Sequence, residues 1–272
     1  RREEPVERRR DGPRVAALAS GLNRLVGLGM LVLARHLTGR AAPALVAGAV
    51  FVLLPYRIEH FMHLELQWTM FVPLTWWALH RLREAPDVRR GMAAGLMLAL
   101  QMLACVYYGV FLVMTLAVFV PVLFVTTPRT SWERTLPSLA IAGLVSLVVV
   151  APFAWPYLGA ARELGGRATE EVTRYSATLN SYLSSPQPSL LWGWTADRWG
   201  GPELRLFPGL VALALGAIGL SGTPRRPVVL YLLTLAVAVE LSFGLNGTLY
   251  RLLFTHVDAV QGFRATARFA VI

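Results

Sequence analysis

The chain has no lysine, one cysteine and few acids: its 26 basic residues are all Arg, against 16 Asp and Glu in 272 residues. Charged residues make up only 15% of it, well below the roughly one quarter of a soluble domain. The lone Cys105 lies in an apolar run, which excludes an intramolecular disulfide and a cysteine-based metal site. Walker A, GxGxxG, HExxH and GxSxG motifs are absent, so ATP hydrolysis and dinucleotide chemistry have no support. Neither an internal repeat of 20–50 residues nor a long low-complexity segment is present. There is no visible signal peptide. The chain starts at Arg1 and stops at Ile272 inside an apolar run, so it reads as an internal piece of a longer protein.

What is abundant is apolar. Hydrophobic residues are 55% of the chain and the mean hydropathy is +0.52. Apolar stretches fall at 15–34, 41–55, 66–80, 91–107, 109–126, 136–157, 207–221 and 227–244, with a truncated ninth from 268. Long apolar runs without strict alternation favour helices over a barrel, and spanning a bilayer takes roughly 20 residues. The expected fold is all-α: a polytopic transmembrane helix bundle of about 8 spans plus the ninth. Pro73, Pro121 and Pro152 are expected to kink spans.

The arginines give an orientation. Arg35, Arg40, Arg81, Arg83, Arg89, Arg90, Arg129, Arg134, Arg225 and Arg226 crowd the connections 35–40, 80–90, 127–136 and 221–227 at about three times the density of the opposite side, which the positive-inside rule makes cytoplasmic. Segments 55–65, 158–206 and 244–268 are then extracytoplasmic, and the protein a multi-pass resident of the cell (inner) membrane. The net charge of +10 therefore reflects topology, and nucleic acid is not an expected partner. The Arg-rich start fits this scheme only as the end of a long outer loop. Four regions follow: 1–14, the end of that loop; 15–157, six spans; 158–206, an outer loop; and 207–272, the C-terminal spans.

Within 158–206, Val172, Tyr175, Leu179, Tyr182 and Leu183 fall on one helical face, the pattern of an amphipathic helix lying on the membrane surface. Trp192, Trp194 and Trp199 follow, as an aromatic belt or the wall of a lipid groove. Glu59, His60, His63 and Glu65 stand at the outer end of an apolar run, as candidate contacts to a divalent metal ion or a sugar. Arg264 and Arg268 are four apart and would share a helical face, able to clamp a phosphate or to snorkel to headgroups, with Arg251 and His256 nearby. Glu240, an acid inside an apolar run, is either functional or paired with a structural partner. Asn246-Gly247-Thr248 fits a glycosylation sequon but is a short match of little weight.

The order of these features resembles bacterial membrane proteins of the GT-C glycosyltransferase type, particularly the YfhO-like or family-39-like branch. The resemblance rests on Leu33–Arg40 with Pro55-Tyr56-Arg57, His60, His63 and Gln67, on Glu171–Trp192-Gly193, and on Gly262-Phe263-Arg264 with Arg268-Phe269. It implies transfer of a sugar from a polyprenyl-phosphate donor to an envelope glycan or lipid acceptor on the extracytoplasmic face. The catalytic acid of such enzymes lies in the first outer loop, so it is expected upstream of residue 1, or else among Glu3, Glu4, Glu7 and Asp11. By the same resemblance Arg57, Arg264, Arg268, Tyr175 and Tyr182 would bind substrate or its phosphate. Two other readings stand beside it: a transporter or lipid flippase, and a non-catalytic membrane assembly protein.

Overall fold

The computed structural model describes residues 7–125, 132–164, 166–222 and 225–272, and every regular element among them is helical. The order is α1 (Glu7–Thr38), α2 (Ala41–Val52), α3 (Pro55–Glu59), α4 (Leu64–Gln67), α5 (Phe71–Glu84), α6 (Val88–Ala104), α7 (Val106–Val125), α8 (Trp132–Leu164), α9 (Thr169–Arg174), α10 (Leu210–Gly222), α11 (Arg225–Ser242) and α12 (Leu249–His256). Short 3-10 turns fill the long connections. Three helical stretches are long and apolar enough to cross a membrane: Ala41–Glu59, Val106–Val125 and Trp132–Pro156. Leu210–Leu220 and Pro227–Ser242 are apolar but shorter.

Local chemistry sets several of these boundaries. Asp87 caps α6 by accepting from the Arg90 backbone N–H at 2.8 Å. Pro55 opens α3 at a position where its missing N–H costs nothing. Between α6 and α7 the chain is extended for one residue, Cys105, and a Cβ on Gly109 would run into the Met102 backbone. Helix α7 continues through Pro121, and α8 through Pro137, Pro152 and Pro156.

Close helix pairs are built on small residues. On α6, Gly91 and Gly95 face the backbone carbonyls of Ser138 and Ala142 on α8, with no room for a side chain at either position. That is the small-xxx-small packing that substitutes for a hydrophobic driving force between helices in lipid. Gly48 on α2 meets the Gly27 carbonyl of α1 in the same way. Helix α7 lies innermost: Leu112, Leu116, Phe119 and Leu123 pack against Trp76, Leu79 and Leu82 of α5 and Leu230 of α11. The Trp76 and Phe119 rings meet edge to face, centroids 4.2 Å apart. Helix α8 presents Leu144, Leu147, Val148 and Phe153 outward instead.

The structure departs from the sequence reading in three places. The span expected at 66–80 starts later, because 60–70 folds into α4 and turns before α5 begins. The surface helix expected over 170–183 is broken into α9 and a 3-10 turn, Leu179–Leu183. Its backbone bonds are exported there: Ala177 N–H donates to Ser242 O at 2.9 Å, while Thr178 and Ser181 form a capping box that starts the next turn. Val172 is buried and Leu179 is 75% exposed, so the supposed common face is divided. The third departure concerns the run from 268. It forms a buried 3-10 turn, Thr266–Val271, held by Ala267 N–H donating to Tyr175 O at 3.1 Å. Glu3 and Glu4 of the expected outer-loop end, together with Arg129, lie outside the described residues, and α1 already begins at Glu7.

Candidate functional site

At one end of the bundle three distant segments meet: the α2–α5 connection, the stretch 166–209 and the segment after α11. A single carboxylate joins them. Glu203, on the 3-10 turn Pro202–Leu204, accepts from the Tyr56 hydroxyl at 2.8 Å and from Arg268 Nε at 3.1 Å, with a second bond from Arg268 Nη2. His60 Nε2 lies 3.6 Å from the same carboxylate. Tyr56, His60 and Arg268 are all buried. Burial alone would push the Glu203 carboxyl up, but the contact with His60 and the hydrogen bonds and charge of Arg268 outweigh it and hold Glu203 well below the usual carboxylate range.

The donors are fixed in turn. Tyr56 and His60 lie one helical turn apart, so their rings stack at 4.1 Å, and His60 Nδ1 sits 3.0 Å from Tyr56 O. The Arg268 guanidinium lies over the Tyr107 ring at 4.8 Å, a cation–π contact. A second ion pair closes the loop beside this cluster: Arg205 Nη1 donates to Glu59 at 2.6 Å and Nη2 to Asp197 at 3.0 Å. A small cleft of about 30 Å3 lies at the same end, lined by Leu54, Tyr56, Arg57, Leu206, Phe207 and Val271; of the cluster it touches Tyr56.

The structure distributes the expected site residues unevenly. Of Glu59, His60, His63 and Glu65, His60 joins Glu203, Glu59 joins Arg205, and His63 pairs with Glu65 on the exposed side at 3.7 Å. Among the described residues no three His, Cys, Asp or Glu side chains gather as a metal site, so the metal expectation does not fit this geometry. Arg264 and Arg268 do not form a clamp. Arg264 reaches Glu171 at 3.2 Å and lies over Tyr175 at the surface, while Arg268 turns inward to Glu203. They diverge because Arg264 lies in the irregular link before the 3-10 turn Thr266–Val271 that carries Arg268, so no common helical face joins them.

Arg57 is buried and donates to Gln67 O, Thr69 Oγ1 and Asn23 Oδ1, bracing the α2–α5 connection against α1. Gln67 answers by donating to the Arg57 and His60 carbonyls at 3.1 and 2.9 Å. Tyr182 bonds Ser242 at 2.7 Å, and burial pushes its hydroxyl up to about 12. Arg251 donates to Leu245 O and His256 stays in a local contact with Thr255, so neither joins the cluster. Glu240 has a structural partner after all: its carboxylate accepts the Thr248 and Leu249 backbone N–H groups at the start of α12. Asn246 donates its side-chain amide to the Ser176 and Ala177 carbonyls, so the sequon asparagine is engaged in the fold.

Glu203, Arg205 and Asp197 carry no local sequence signal. The Tyr56–Glu203 and Glu59–Arg205 contacts join residues 147 and 146 positions apart.

Taken together, the described residues form a helical fold with three stretches long and apolar enough to cross a membrane and a buried ionic cluster at one end. No family model, no curated protein and no solved structure matches the chain.

Proposed function

We propose that this chain is part of a GT-C-type membrane glycosyltransferase, with about eight spans and with residues 55–65, 158–206 and 244–268 on the extracytoplasmic side. The observation that carries this reading is the buried cluster of Tyr56, His60 and Arg268, drawn from two distant segments to the end of the bundle assigned to the extracytoplasmic side. A polyprenyl-phosphate-linked sugar carries a phosphate of the kind that a guanidinium and a phenol bind. The arginine distribution supports the orientation, since Arg35, Arg81, Arg83, Arg89 and Arg90 stand at the ends of α1, α5 and α6 away from this cluster.

Chemically, the reading is direct displacement at the anomeric carbon. Arg268 and His60 offset charge as it builds on the departing phosphate, and Tyr56 donates a further hydrogen bond. A separate carboxylate must take the acceptor's proton. Glu203 is unsuited to that role, because its low proton affinity makes it a weak base. The resemblance assigns the base to a carboxylate of the first outer loop.

The test is transfer by the protein in native lipids from radiolabelled polyprenyl-phosphate sugars to membrane acceptors. Label should move to a new product in the wild type and fall at least tenfold in His60→Ala and Arg268→Ala, while Arg264→Ala retains most of it. A folded, monodisperse protein that moves no label from any donor contradicts the reading.

A further inference from the structure

Outside the helices, the stretch between Pro186 and Thr195 shows large apolar side chains to its surroundings. Leu190 is 101% exposed, Leu191 74% and Trp194 61%. The exposure is not that of a slack loop, because the base beneath the tip is knotted. Ser185 N–H donates to Thr195 Oγ1 at 3.0 Å, and Ser184 Oγ donates to Thr195 O at 3.2 Å, with Ser184, Ser185 and Thr195 all buried. Gly193 N–H donates to Ser189 O at 2.9 Å, and Gly193 lies so close to the Gln187 backbone that no side chain would fit there. Trp192 turns inward: its Nε1 donates to Leu183 O at 3.1 Å and its ring stacks on Phe207 at 5.1 Å. Two leucines held out in this way give up the burial that drives folding, so the fold spends order on presenting them.

We infer that the tip Leu190-Leu191, with Trp194, is embedded in the outer leaflet of the bilayer. This inference rests on the proposed reading of α10 as a span entered from the extracytoplasmic side. Phe207 fixes the level of the tip. It is buried under Trp192, its N–H donates to Ser184 O at 2.9 Å, and three residues later α10 begins with Leu210, Val211 and Leu213 facing outward. The loop is therefore tied to the point where an apolar, outward-facing helix enters the membrane. The residue types at the tip suit that depth. Leucines partition below the headgroups, a Trp ring settles at the interface, and an arginine reaches the phosphates. Arg198 is exposed and lies over the Trp194 ring at 4.9 Å, so one cation is kept beside the apolar tip.

The experiment measures depth by spin labelling in a Cys105→Ala background, with one protein per nanodisc of phosphatidylcholine and phosphatidylglycerol. Nitroxides are attached singly at Leu190→Cys, Leu191→Cys, Asp197→Cys and Val211→Cys, all exposed positions where a label leaves the core intact. Collisions with oxygen, which concentrates in hydrocarbon, are compared with collisions with a neutral nickel chelate, which stays in water. The ratio of oxygen to nickel collisions should be about fivefold higher at positions 190 and 191 than at 197. A ratio at 190 and 191 equal to that at 197, with a high ratio at 211, overturns the inference and leaves α10 as a span. Few collisions with either reagent at 190 and 191 overturn it in favour of a tip covered by protein. A water-like ratio at 211 with a high ratio at 190 and 191 sinks the α10 span while supporting the embedded tip. Water-like ratios at all four positions overturn both.

Discussion

Tyr56 and Arg268 donate to one acceptor and His60 Nε2 faces it at 3.6 Å, so deleting that acceptor strands two buried donors at once. Glu203→Ala should cost about 3 kcal/mol, the scale of breaking a buried ion pair from one side. A thermal melt in detergent checks this, with Glu203→Gln expected to lose less because its amide oxygen still accepts. The pH dependence has a definite sign. Glu203 is held below the ordinary carboxylate range, so its stabilisation is complete above that range and disappears only as pH falls through its lowered folded value. The melting temperature should differ little between wild type and Glu203→Gln at low pH, and most above about pH 5. A gap that widens on acidification would contradict this. Legibility at this scale was partial. His60 could be picked out as a polar group at the end of an apolar run and Arg268 by its spacing from Arg264, but with other partners expected, and Tyr56 carried no assigned role. Their acceptor could not, because contacts between residues 65 and 147 positions apart leave no pattern in the sequence.

At the scale of elements, the helix pairs depend on what they lack. Gly95 lies against the Ala142 backbone, so Gly95→Leu must push α6 from α8 and should lower the melting temperature by several degrees or prevent folding; Gly143→Leu on α8, where nothing lies within reach of a new side chain, should be tolerated. Comparing yield and melting temperature of the two variants decides it. The helices themselves were largely readable, since runs of 12 to 20 apolar residues leave little alternative. The break at Tyr175–Thr178 was not. Val172, Tyr175, Leu179 and Tyr182 keep a helical period, but the Ala177 N–H is taken by Ser242 O, a partner whose position only the fold supplies. The Thr266–Val271 turn escaped for the same reason: Ala267 N–H goes to Tyr175 O and Arg268 is drawn to Glu203.

The whole molecule has two chemically different ends. One carries the Glu203 cluster and the cleft. The other carries His36 paired with Glu84 at 3.1 Å and Arg90 paired with Asp87 at 2.6 Å. The proposed orientation predicts opposite labelling of the two ends. In a Cys105→Ala background, Asp197→Cys should react with a membrane-impermeant maleimide on intact cells, and Arg89→Cys only after permeabilisation; the reverse pattern would invert the topology. The Asp197 side chain is 85% exposed, so failure to react there would not be a matter of burial. The central claim is that the buried donors Tyr56, His60 and Arg268 form a site for a lipid-linked phosphate. Its most direct test is photo-crosslinking with a diazirine-bearing polyprenyl phosphate, followed by mass spectrometry of the labelled peptides. The account predicts label in 54–57, 204–208 and 268–271, competed by unmodified polyprenyl phosphate. Label confined to the His36–Glu84 end, or spread over the bundle without competition, would contradict it.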